Sequence, residues 1–207
     1  MPLIHKIFLL FLLQSPLILA QSQLENSELE LNTTLLSFRK AITAEEMDTE
    51  NEIFKNEMYI FLQQEGAYNY TFKHLKSVAI LDSPDGKIRI VNWNIEYPDM
   101  SYAYGGFIMI KENKNIRIVA LNDVHDAYSK KPKGTIDFSD WYGALYYKII
   151  PFENGNKTEY LLLGWDGGTA GSNYKIMDVL VLGKRSVRFG SPVSVSYTHL
   201  RAHETFT

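Results

Sequence analysis

The chain changes its hydrophobic period at Gly66, and that switch constrains the fold more than any other feature of the sequence. Before Gly66, apolar residues recur at steps of three and four, the spacing of a helical face; after it, they alternate every second residue, the spacing of a strand. Helices gathered at one end and strands at the other predict an α+β fold that is mainly β.

The helical part runs over residues 27–64. Leu29, Leu35, Leu36, Ala41 and Ile42 fall on one stripe, and Ile53, Phe54, Met58, Phe61 and Leu62 on a second. Thr49-Glu50-Asn51-Glu52 matches a capping box, in which hydroxyl and carboxylate each satisfy an orphan backbone N–H. The pattern predicts two helices joined near residues 43–48.

In the β part, Ser83-Pro84-Asp85-Gly86 is a turn between two alternating runs, with Pro at the second position and Gly free to take positive φ, so residues 78–96 read as a hairpin. Val91, Trp93 and Ile95 point one way and Asn92, Asn94 and Glu96 the other, which predicts one buried face and one wet face. Further strands are expected at 102–110, 116–122, 141–150, 159–164, 176–182 and 187–189, with turns at 111–115, 154–156 and 183–184. The segment Trp141–Ile150 is apolar on both sides and reads as a central strand. Together these predict an N-terminal helix pair followed by an antiparallel β-meander, sandwich or barrel-like, of seven or eight strands. The alternative is a β-propeller fragment, suggested by short strands in series and by the Ser83–Gly86 and Trp165-Asp166-Gly167 turns.

Lys6, the apolar run Ile7–Leu13, the break at Gln14 and Pro16, and Leu17–Ala20 have the layout of a signal peptide over residues 1–20. At the other end, Val195–Thr205 resembles one reading frame of a transposase sequencing adapter, with Phe206 and Thr207 from the barcode after it. The expected organisation is a leader at 1–20, a helical segment at 21–65, a β domain at 66–194 cut short at its C-terminus, and an adapter-derived tail at 195–207. Such a tail was never selected to pack, so it should be extended with few contacts, and a sheet edge or face that the missing part covers should stand open.

The formal net charge is −3, and the only basic run, Lys130-Lys131-Pro132-Lys133, is a loop tip rather than a stripe, so no nucleic-acid partner is expected. Cysteine is absent, which excludes thiol catalysis, disulfides and a lipoprotein anchor. The expected location is the periplasm, the cell envelope or the extracellular space, with membrane contact only through the leader during export.

No complete catalytic set is present. The nearest approach is Asp123-Val124-His125-Asp126, where two carboxylates flank an imidazole that could act as a base, within the irregular loop 123–140. Asp123, His125 and Asp126 are therefore the catalytic candidates, although a solvated loop histidine is the plainer reading of His125. The other histidine outside leader and tail, His74, stands far away in sequence. The Gly-rich stretch 164–173 lacks the Lys and Ser/Thr of a phosphate loop and reads as a wide turn; Asp166 and Asn173 are its candidates for a Ca²⁺ site. No cofactor motif is found. The 13 Tyr, 11 Phe and 3 Trp suit either packing on a pleated surface or stacking on a ligand, and packing is the plainer reading. The function expected is a non-catalytic exported protein that binds a glycan or protein partner, with a hydrolase at the 123–140 loop as the alternative.

Three segments, Asp82–Trp93, Trp141–Ile150 and Tyr160–Gly167, together with Phe189-Gly190-Ser191-Pro192-Val193, resemble a family of exported proteins of Bacteroidota with no assigned function. The resemblance spans most of residues 50–193. It implies an envelope or secreted location and further sequence beyond this point, and it brings no catalytic residues.

Overall fold

Two helices, α1 (Leu3–Phe38) and α2 (Ala44–Leu62), lead through a short 3-10 turn at Ala67–Asn69 into a β part with nine strands among the described residues. These are β1 (Ala79–Asp82), β2 (Ile88–Glu96), β3 (Tyr102–Glu112), β4 (Asn115–Asn122), β5 (Ile136–Asp137), β6 (Leu145–Asn154), β7 (Lys157–Asp166), β8 (Tyr174–Leu182) and β9 (Val187–Phe189). The computed structural model describes residues 3–124, 134–168 and 172–191, with side chains from residue 21 onward. The tail at 195–207 lies outside the described residues.

The helices run antiparallel: Ser27 bonds to Gln64 and Thr34 to Glu57. α2 begins at Thr43, not Thr49. The Thr43 hydroxyl accepts the Glu46 N–H at 3.2 Å and the Glu46 carboxylate accepts the Thr43 N–H at 3.2 Å. The same Thr-x-x-Glu pattern thus occurs six residues before the one at Thr49, and the earlier copy wins because it adds more than a turn of helix that packs. Thr49 is left inside α2 with its hydroxyl donating to the Glu45 carbonyl. The buried stripe of α1 also differs from the expected one: Leu24, Glu28, Leu31, Leu35 and Phe38 are buried, whereas Leu29, Leu36 and Ile42 are exposed. On α2, Phe54, Met58, Phe61 and Leu62 are buried as expected and Ile53 is exposed.

The strands form two antiparallel sheets, one in the order β1-β2-β3-β4 and one in the order β5-β9-β8-β7-β6. Three layers result. The helix pair packs on one face of the four-stranded sheet, through Val91, Trp93, Ile95, Phe107 and Met109. The five-stranded sheet packs on the other, through Ile88, Ile90, Tyr104, Ile108 and Leu121. The sheets form a sandwich rather than a closed barrel or a set of blades about an axis.

This layering corrects the expectation of a wet face on β2. Asn92 is fully buried between the sheets, its Oδ1 accepting the Tyr146 N–H at 2.9 Å while its Nδ2 faces the Tyr146 carbonyl at 3.5 Å. A polar residue at a strand position signals solvent only when nothing inside needs its hydrogen bonds. Here the β6–β7 register shifts between Tyr146 and Lys148, and Asn92 serves the backbone beside that bulge. Gly105 and Gly106 make the two faces possible. Opposite Trp93, a Cβ on Gly105 would lie 2.4 Å from the indole; opposite Asn92, a Cβ on Gly106 would lie 3.2 Å from the Asn92 Cβ. The Trp93 indole then donates to Asn51 of α2 at 2.8 Å.

The central strands are β2 and β3, and Trp141–Ile150 is not one of them. Trp141 and Ala144 are buried ahead of the strand, and β6 itself is an edge with Tyr147 exposed at its bulge. Apolar residues on both sides of that segment reflect a core plug followed by an edge strand. The turn Ser83–Gly86 forms as expected, with the Gly86 N–H on the Ser83 carbonyl at 2.8 Å and φ of +66° at Gly86. From the other sheet, the Tyr160 hydroxyl donates to Asp85 at 2.8 Å. Burial alone would raise the Asp85 carboxyl, but hydrogen bonds from Ser83, Tyr160 and the Lys87 N–H outweigh it and hold the group below its usual range.

Candidate binding site

At one end of the sandwich, the start of β3 meets the end of β7 and the residue after β4. Tyr104, at the start of β3, collects both. Its backbone N–H donates to Asp123 Oδ2 at 2.8 Å, and its hydroxyl donates to Asp166 Oδ1 at 3.2 Å while accepting the Gly167 N–H at 2.8 Å. Asp166 Oδ1 also accepts the Gly168 N–H at 2.9 Å, which fixes the turn that leaves β7. Burial, reinforced by the Asp166 charge, pushes the Tyr104 phenol well above its ordinary value, so it stays neutral and keeps donating.

Asp123 is locked from its other side as well. It forms a parallel bridge with Trp141, whose carbonyl accepts the Val124 N–H at 3.0 Å. Gly143, with φ of +85°, lies against its carboxylate so closely that a Cβ there would sit 2.7 Å from it. Behind this, buried Trp141 donates to the Tyr146 hydroxyl at 3.0 Å, which donates to Asp178 at 3.0 Å. Burial first, then Asp178, pushes the Tyr146 phenol far up.

In front, Tyr102 and Trp165 meet edge to face with ring centroids 5.1 Å apart, both half-buried. The Tyr102 hydroxyl donates to Glu96 at 2.9 Å. Gly167 lies so close beneath the Tyr102 ring that a Cβ there would be 2.2 Å away. A fixed aromatic ledge with carboxylates at its rim is therefore built on the rigid ends of strands, not on a loop.

Of the catalytic candidates, Asp123 is held by structural hydrogen bonds, and His125 and Asp126 lie outside the described residues. Of the Ca²⁺ candidates, Asp166 is committed through Oδ1 to Tyr104 and Gly168, and Asn173 is exposed across residues 169–171, which also lie outside the described residues. Among the described residues no group of three or more His, Cys, Asp or Glu gathers at metal-binding distance. The structure brings Asp123 and Asp166 together on one tyrosine, a juxtaposition that a separation of 43 positions hides in the sequence. Tyr102, Tyr104 and Trp165 were hidden among many aromatics; the available signal was Trp165-Asp166-Gly167-Gly168, a tryptophan followed by glycines that let another ring approach. Among the described residues no helix is long and apolar enough to cross a membrane. Comparison with protein-family models, curated proteins and solved structures finds no match.

Proposed function

We propose that this chain is an exported, non-catalytic binding protein and that the Tyr102–Trp165 ledge takes a neutral glycan. The observation that carries the reading is the half-buried, edge-to-face aromatic pair whose orientation is fixed by Glu96 and Gly167. Rigid aromatic faces with a few placed polar groups are what orient a sugar ring, with its apolar C–H face and polar rim. Glu96, exposed beside the Tyr102 hydroxyl, supplies an acceptor for a sugar hydroxyl, and the carboxylates of Glu96, Asp123 and Asp166 at the same end disfavour anionic ligands by like charge. The signal-peptide layout of residues 1–20 supports a location in the periplasm, the envelope or the extracellular space.

Titration calorimetry against neutral and acidic oligosaccharides tests this. A neutral oligosaccharide should bind, and Trp165→Ala should weaken it at least about tenfold, the loss of a central aromatic anchor. Unchanged affinity in Trp165→Ala would place the ligand elsewhere. Hydrolysis of the ligand that disappears in His125→Ala would instead establish the enzyme at the 123–140 loop.

A further inference from the structure

Two non-glycine residues among the described ones take a left-handed backbone, Asn113 at φ of +56° and Met100 at φ of +66°. Asparagine visits that region readily because its short polar side chain bonds locally, whereas a methionine there sets its Cβ against a carbonyl oxygen with no such return. Met100 closes the turn Pro98-Asp99-Met100 between β2 and β3. The turns at Gly86 and Gly155 put glycine at their left-handed positions; this one carries a long apolar side chain instead.

Packing does not offset that strain. Met100 is 56% exposed and belongs to neither hydrophobic core, while Met58 and Met109 are buried. Nor is the turn loose: the Tyr97 N–H donates to the Ser101 carbonyl at 3.0 Å, the Met100 N–H donates to the Tyr97 carbonyl at 2.9 Å, and Asp99 accepts from both the N–H and the hydroxyl of Ser101. The Tyr97 hydroxyl ties the turn to Asp48 of α2. A strained residue that a rigid frame holds and no core uses points to function rather than folding.

The place of Met100 in the chain says which function. Its turn joins Glu96 to Tyr102, which face each other across β2 and β3 and share the hydrogen bond from the Tyr102 hydroxyl. These are the acceptor and one ring of the aromatic ledge. Met100 lies two positions from Tyr102, so their Cα atoms are at most about 7 Å apart, within reach of an unbranched thioether side chain and a ring. We propose that Met100 is a ligand-contacting residue of the ledge, an inference that rests on the neutral-glycan reading above. Its side chain supplies a third apolar surface, adaptable in shape and uncharged, for the C–H face of the sugar that Tyr102 and Trp165 hold.

Titration calorimetry with neutral oligosaccharides of glucose, mannose, galactose and xylose, on the wild-type chain, Met100→Gly and Trp165→Ala, separates this inference from the reading it rests on. Met100→Gly relieves the left-handed strain, so its urea midpoint should rise while its affinity falls at least about fivefold. Hydrogen peroxide gives a second readout on the unmutated chain. It passes one oxygen atom to a methionine sulfur and leaves as water, and Met100, the exposed one among Met47, Met58, Met100, Met109 and Met177, should react first. The bound oligosaccharide should slow that oxidation at least about fivefold, as the sulfur is covered in the complex. Wild-type affinity in Met100→Gly beside a weakened Trp165→Ala, or oxidation of Met100 at one rate with and without saturating sugar, overturns the inference and leaves the ledge reading standing. A urea midpoint that falls together with the affinity makes Met100 a structural residue and overturns it as well. No binding by the wild-type chain overturns both.

Discussion

Glu28 occupies a position on α1 where the helical spacing asks for an apolar side chain, and it is fully buried there. The carboxylate is tolerated because three donors converge on it: the Tyr70 hydroxyl at 2.8 Å, the Lys73 N–H at 2.6 Å and the His74 N–H at 2.6 Å. It thereby ties α1 to the chain that enters the first sheet. Burial and the hydrogen bond to Glu28 push the Tyr70 phenol far above its ordinary value, so it remains a donor at any physiological pH. Glu28→Ala would leave those donors unmet and should cost about 3 kcal/mol or more in a urea titration, at about 1–3 kcal/mol for each buried orphan. Glu28→Gln, which keeps an acceptor for the two backbone N–H groups, should cost clearly less. Equal losses in the two variants would mean that Glu28 acts by filling space. This residue is also why the buried stripe of α1 differs from the one the apolar spacing predicts: its charge interrupts the Leu24, Leu31, Leu35, Phe38 pattern, and the apolar residues that stand out instead include Leu29 and Leu36, which are exposed. Only the donors brought by residues 70–74 make a buried glutamate acceptable, and they are distant in sequence.

Elements were more legible than their surroundings. Every strand expected between 78 and 189 forms, within a few residues of its expected bounds, because alternation and turn chemistry are local. The turns at Asn113, Gly155 and Gly183 fall where turn residues interrupt the pattern; Asn113 and Gly155 take positive φ. The two-residue β5 is too short to carry any pattern. What local pattern could not supply was the layer each element belongs to: β2 reads as half-wet because Asn92 looks like a surface residue, and the Trp141 segment reads as central because its burial comes from two different environments. The helix start is the element-scale test. Thr43→Ala should destabilise the chain by about 1 kcal/mol, the usual worth of an N-cap. Thr49→Ala, inside α2, should be neutral or stabilise by a few tenths of a kcal/mol, about the gain of Ala over Thr in a helix. The reverse order in urea midpoints would restore the cap to Thr49.

Across the whole molecule, tyrosine hydroxyls hold the layers together. Tyr70 joins α1 to the loop, Tyr160 joins the two sheets at Asp85, and Tyr104 and Tyr146 close the opposite end. Burial leads the shift in each, and every one of these phenols is raised above its usual value. A neutral phenol favoured by the fold contributes stability that is complete below pH ~10, where free tyrosine ionises, and is lost as pH rises above it. On alkaline titration the exposed tyrosines should therefore ionise first, and the rest should do so together with the loss of circular dichroism. A single gradual tyrosinate transition with the fold intact would show that the ties are loose. The proposed binding site belongs to this scale too, since Tyr102 and Tyr104 come from β3, Trp165 from β7 and Asp123 from the connection after β4. Its most direct test uses the three tryptophans as reporters, because Trp93 and Trp141 are fully buried and Trp165 is not. In an amide-and-indole NMR correlation spectrum recorded while a neutral oligosaccharide is added, the Trp165 indole signal should shift and saturate, with those of Trp93 and Trp141 fixed and the sugar signals unchanged. A Trp165 signal that stays still while the ligand binds, or the growth of new reducing-end sugar signals, would contradict the account.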